Sequence, residues 1–119
     1  MKRLILFFSL FLCCINMNAQ DDYYICQAHY YQREAEYYTR QAIGYDKEAD
    51  YYNRWAQKHM REAEFYSKQG KYDRVRSYQS KAKNAIERAE SYKKRADDAR
   101  DRARSYLCRA EDALRKAKR

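Results

Sequence analysis

Alanine returns every seven residues along this chain. Ala28, Ala35, Ala42, Ala49, Ala56 and Ala63 form one series, and Tyr31, Tyr38, Tyr45, Tyr52, His59 and Tyr66 each follow an alanine by three residues. Spacings that alternate three and four lie on one stripe of an α-helix and match positions a and d of a heptad. A strand has period two, so a seven-residue repeat would throw alternate members onto opposite faces of a sheet. There is no proline in the chain, so nothing forbids uninterrupted helix.

A second series begins after Gly70. Val75, Ala82, Ala89, Ala96, Ala103, Ala110 and Ala117 take the a positions, with Tyr78, Ala85, Tyr92, Ala99, Tyr106 and Ala113 at d. The step from Ala63 to Val75 is twelve residues rather than fourteen, so the two halves cannot share one straight stripe. Gly70 suits the left-handed residue that closes a helix. Lys68 before it complements the negative helix C-terminus, and Asp73 after it favours the positive start of the next helix. Gly44 is a competing break. However, Ala42, Tyr45, Ala49 and Tyr52 keep their register through it, so Gly44 reads as a weak point inside a continuous helix, costing about 1 kcal/mol relative to alanine.

The expected fold is all-α: a long antiparallel helical hairpin, an Ala/Tyr heptad coiled coil preceded by a signal peptide helix. Helix 1 is expected over about residues 21–69, the turn at about 70–72 and helix 2 over about 73–117. Residues 63–82, with Ala63, Tyr66, Gly70, Tyr72, Val75 and Ala82, resemble the helix–turn–helix of tetratricopeptide repeats over that one turn. The flanking helices run far beyond the dozen or so residues such repeats use, so the likeness implies shared turn chemistry alone.

The N-terminus reads as a secretory leader. Met1-Lys2-Arg3 precedes an apolar run from Leu4 to Ile15, and Ala19 stands before Gln20-Asp21-Asp22, the order of a basic, an apolar and a small-residue region. Roughly 12 apolar residues fall short of the roughly 20 that cross a bilayer. Cleavage after Ala19 would leave residues 20–119 as the mature domain. Cys13 and Cys14 follow Leu12 and Cys13, not the small residue of a lipid-modification site. A periplasmic or secreted location follows.

Beyond the leader, Leu, Ile, Val and Phe amount to seven residues: Ile25, Ile43, Phe65, Val75, Ile86, Leu107 and Leu114. A core of ordinary thickness cannot be filled from these. The 14 tyrosines supply the apolar area instead, with rings laid across alanines and hydroxyls reaching water. Yet helix 1 carries rings in pairs. Tyr23, Tyr30, Tyr37, Tyr51 and Phe65 each precede a d-type ring and lie partly outside a two-helix seam. They form the expected interaction face, since a long exposed aromatic stripe marks a contact surface. The expected partners are a second copy of the chain or another envelope or extracellular protein.

Charge divides between the halves. From Asp21 to Gly70 there are seven Lys or Arg against nine Asp or Glu, and from Lys71 to Arg119 seventeen against eight. Helix 2 is thus a basic rod. Arg88, Lys93, Lys94, Arg95, Arg100, Arg102, Arg104 and Arg109 are its candidate polyanion-binding residues, for lipopolysaccharide, an acidic glycan or nucleic acid. No groove-reading motif accompanies them, and no leucine-rich face suits insertion into a membrane.

The chemistry-bearing residues are sparse. Cys26 and His29 stand one helical turn apart, but nothing nearby completes a metal set, and His59 sits about 45 Å further along a helix. Cys26 and Cys108 both fall at f, facing away from the seam. A mutual bridge needs Cα atoms within about 7 Å, so free thiols or a bond between chains are expected. No cofactor, catalytic or small-molecule site is indicated. The sequence describes an exported, non-catalytic protein with a structural or interaction role, self-associating through its Tyr-rich face. Polyanion binding by helix 2 is the alternative.

Overall fold

Three residues reverse the chain. The computed structural model describes residues 19–118 and holds two helices, α1 (Ala19–Lys68, 50 residues) and α2 (Tyr72–Ala117, 46 residues), with no strand among the described residues. The leader expected over residues 1–19 lies outside the described residues, except that Ala19 begins α1.

Gly70 adopts φ 71°, a left-handed value that L side chains resist. Its N–H donates to the Ser67 carbonyl at 3.1 Å, and the Lys71 N–H donates to the Tyr66 carbonyl at 3.1 Å. Together these make the paired closure of a Schellman motif, which satisfies two carbonyls that the helix end would otherwise leave bare. The Lys71 carbonyl then accepts from Arg74 and Val75 at 3.1 and 3.2 Å, starting α2. Asp73 lies in the first turn of α2 and Lys68 in the last turn of α1, each complementing the local helix dipole. Tyr72 is already helical, so the turn occupies residues 69–71, one residue earlier than its spacing suggested. Gly44 lies inside the unbroken α1.

The chain groups into two compact units. One runs from Gln41 to Ala99 and contains the turn; the other joins the described residues up to Arg40 with those from Arg100 onward. In the first unit, Ala42, Ala49, Ala56 and Ala63 of α1 and Ala82, Ala85, Ala89, Ala96 and Ala99 of α2 are buried. Ala42, Ala96 and Ala99 form a cluster against which Tyr45 packs. In the second unit, Ala28 and Ala35 are buried, as are Ala103, Ala110 and Ala113. Alanine is the best helix former, and its small side chain leaves room for a ring from the opposite helix to lie across it. The core is therefore alanine and half-buried tyrosine, with no large side chain fully enclosed among the described residues.

Candidate interaction surface

The rings between the helices follow a rule. In the unit of Gln41 to Ala99, Tyr92 of α2 stacks on Tyr52 of α1 (centroids 5.7 Å, planes 8° apart) and meets Tyr45 at a tilt (6.2 Å, 34°). Fourteen residues earlier in α2, Tyr78 stacks on Tyr66 (5.4 Å, 9°) and tilts against His59 (6.0 Å, 32°). In the other unit, Tyr106 stacks on Tyr38 (5.7 Å, 7°) and tilts against Tyr31 (6.0 Å, 32°). Within the unit of Gln41 to Ala99, as the α1 partner moves back along the chain, from Tyr66 to Tyr52, the α2 partner moves forward, from Tyr78 to Tyr92, so the two helix segments run antiparallel there. Each α2 tyrosine is thus shared by two α1 rings, and His59 stands where Tyr45 and Tyr31 stand in the other groups.

Over these rings lies a row of cations that the sequence reading did not single out. Arg74, Lys81, Arg88, Arg95, Arg102, Arg109 and Lys116 recur every seven residues in α2. Lys81, Arg95 and Arg109 cover Tyr78, Tyr92 and Tyr106 of their own helix, at 4.9, 5.2 and 5.2 Å from the ring centroids. The alternate members reach across to α1: Arg74 over Tyr66 at 5.2 Å, Arg88 over Tyr52 at 5.6 Å, Arg102 over Tyr38 at 5.6 Å and Lys116 over Tyr24 at 5.9 Å. Each contact adds about 0.5–1 kcal/mol at an exposed site.

This row divides the basic residues assigned above to polyanion binding. Arg88, Arg95, Arg102 and Arg109 pack on tyrosine faces. Arg104 donates to the Asp101 carboxylate at 2.9 Å on the solvent side. Arg100 is half-buried and has a partner of its own. Lys93 and Lys94 are exposed. These eight side chains thus differ in what they touch.

The aromatic row of α1 stays in water. Tyr23, Tyr30, Tyr37, Tyr51 and Phe65 are 49 to 59% exposed. Each meets the edge of the following ring, at centroid distances of 5.2 to 5.6 Å and interplanar angles of 60 to 78°. Half of every outer ring is thus held in place by an inner tyrosine, and the other half faces solvent. Trp55, which the sequence reading passed over, joins this row beside Tyr51 (6.2 Å, 73°).

Trp55 also lines an open cleft of about 330 Å³ with Tyr51, Tyr52, His59, Lys81 and Arg88. Ala85 and Asn84 of α2 complete its lining. The His59 ring tilts against Trp55 at 5.4 Å, and its Nδ1 lies 3.8 Å from a Glu62 carboxylate oxygen. Lys58 sits over the Trp55 ring at 4.8 Å.

Among the described residues, the Tyr78 ionisation departs from its ordinary value. The Tyr78 phenol is raised above 10.0, first because packing between the helices removes water from it, then because the Glu62 carboxylate and Tyr66 hydroxyl lie beside it. Both effects disfavour a phenolate.

Cys108 is a free, exposed thiol, and Cys26 is held in a disulfide. Cys108 is therefore not the partner of Cys26, and the two cysteines are not bridged to each other. His29 Nδ1 lies 3.4 Å from the Gln32 amide oxygen. Among the described residues, no group of three or more His, Cys, Asp or Glu is arranged to hold a metal ion, and no helix is long and apolar enough to cross a membrane. The chain matches no protein-family model, and neither the curated proteins nor the solved structures contain a significant match to it.

Proposed function

We propose that this chain is an exported, non-catalytic coiled-coil protein that associates with further copies of itself through the outer aromatic row of α1. The observation that carries this reading is the exposure of Tyr23, Tyr30, Tyr37, Tyr51 and Phe65 at one recurring helix position. Rings braced on one edge and bare on the other are rigid apolar area, and covering them releases water at little cost in side-chain freedom. A second copy presents the same row, so a two-fold pairing along it buries matching surfaces. In this reading the Ala/Tyr heptads form the seam of each hairpin, the leader carries the chain to the periplasm or beyond, and the structural role lies in the assembled helices.

Analytical ultracentrifugation at low and high salt tests it. The protein sediments as a dimer or larger, the assembly persists as salt screens the charges, and joint replacement of Tyr23, Tyr30 and Tyr37 by serine returns it to monomer. A wild-type protein that remains monomeric at high concentration would refute the proposal. An assembly that forms only with an added polyanion and dissolves in salt would support the alternative, carried by exposed residues such as Lys93 and Lys94.

A further inference from the structure

We infer that the cleft beside Trp55 is a binding site for a small anion with a flat apolar face, such as an acidic sugar or an aromatic acid. Trp55 stands at a helix position that is otherwise polar along α1. At the same heptad position, α1 carries Gln27, Glu34, Gln41, Glu48 and Glu62. These are polar or acidic side chains, suited to face a basic row. Only at Trp55 does an apolar ring take that place. The cleft lining accordingly contains two cations, Lys81 and Arg88, and no carboxylate. Neither cation holds an ion pair among the described residues; each rests on a tyrosine ring instead.

The floor is open for a related reason. His59 occupies the tilted-ring position that Tyr45 holds against Tyr92, with nearly the same geometry against Tyr78. Imidazole lacks the reach of a phenol, and Ala85 in the floor adds little bulk. The result is an open, shallow recess lined by the rings of Tyr51, Tyr52, Trp55 and His59, the cations Lys81 and Arg88, and the Asn84 amide. About 330 Å³ falls at the lower end of small-molecule sites, whose pattern is an apolar surface with a few placed polar groups. A guanidinium in such a site binds carboxylate or sulfonate through paired N–H donors. An indole face stacks on the C–H face of a sugar or on a second aromatic ring. The inference does not depend on self-association, although Tyr51 and Trp55 belong to both surfaces.

Trp55 is the only tryptophan in the chain, so its fluorescence reports the cleft once sedimentation at the same protein concentration shows that the added ligand leaves the state of assembly unchanged. The full-length protein is titrated with tetragalacturonate, naphthalene-2-sulfonate, neutral maltotetraose and sodium sulfate. Saturable change in emission with tetragalacturonate identifies the acidic-sugar source, and with naphthalene-2-sulfonate the aromatic-acid source. Maltotetraose and sulfate leave emission unchanged up to tenfold higher concentration. Arg88→Gln and Lys81→Gln weaken the effective ligand at least tenfold. Arg74→Gln, which strips a cation from Tyr66 outside the cleft, does not. Circular dichroism on each variant confirms that the helices remain. Where Arg88→Gln unfolds the chain, Lys81→Gln alone decides. No saturable response to either anion overturns the inference, as does a response equalled by sulfate or unaffected by Lys81→Gln in a folded protein.

Discussion

Tyr92 and Tyr52 lie ring on ring, 5.7 Å between centroids and 8° from parallel, one from each helix. Stacked, offset pairs of this kind contribute about 0.5–1.5 kcal/mol beyond the area they bury. Tyr92 also meets Tyr45 and supports Arg95, so its removal undoes three contacts at once. Tyr92→Ala is expected to destabilise the chain by about 2–3 kcal/mol, since a half-buried ring loses less than a fully enclosed one. Tyr30→Ala, on the outer row, costs under about 1 kcal/mol. Urea unfolding followed by circular dichroism at 222 nm measures both. A larger loss for Tyr30 than for Tyr92 would show that the outer row, and not the seam, holds the helices together.

The two glycines respond in opposite senses. A Cβ built on Gly44 meets nothing within 4 Å, and Gly44 is not among the positive-φ glycines. Gly44→Ala therefore raises stability by about 0.5–1 kcal/mol, through restored helix propensity. Gly70 also has open space, but its φ of 71° strains any side chain, and Gly70→Ala costs about 1–2 kcal/mol. Thermal melts of the two variants should shift in opposite directions from the parent.

Much of this was legible in the residues. The alanine recurrence predicted the buried side chains except at the ends of the second series, where Val75 and Ala117 are only half-buried; the break in spacing at Gly70 located the turn, and the unbroken register through Gly44 marked a continuous helix. The cation row was not read, although Arg74, Lys81, Arg88, Arg95, Arg102, Arg109 and Lys116 recur as strictly as the alanines. Counting charge along α2 merged them with Lys93, Lys94 and Arg104, which face solvent or an acidic neighbour. Place in the seven-residue repeat separates the two kinds: Arg74, Arg88, Arg102 and Lys116 reach rings of α1, and Lys81, Arg95 and Arg109 cover rings of their own helix. Trp55 is hidden for the converse reason: the repeat puts polar residues at its position, and spacing alone does not say which groups an indole there would meet.

The cation row makes a specific prediction. Arg95→Gln removes a guanidinium from the Tyr92 face and costs about 0.5–1 kcal/mol. Lys94→Gln, one residue away and exposed, changes stability by less than about 0.5 kcal/mol. Equal effects at both positions would mean that the row acts by net charge and not through the rings.

Alkaline pH should loosen the turn-proximal contacts through Tyr78. Its folded value lies above 10.0, so below 10.0 the protonated phenol's full contribution is present. As pH rises past the unfolded value and through the folded one, the unfolded chain releases its proton first, and that contribution is lost. Tyr78→Phe cannot ionise. Its melting temperature falls less than that of the parent between about pH 9 and about pH 11. Parallel declines in the two proteins would place the alkaline sensitivity elsewhere.

Ring spacing differs between the helices, and this has a consequence for how the chain finds its partner half. The α2 rings Tyr78, Tyr92 and Tyr106 recur every fourteen residues, while the α1 series offers a ring at every seventh. Sliding one helix past the other by a heptad would give each α2 tyrosine a new pair of neighbours almost as good as the old. The aromatic contacts thus act like evenly cut teeth, able to mesh at several offsets. Choice among those offsets falls to the short closure at Gly70, which fixes where the count begins.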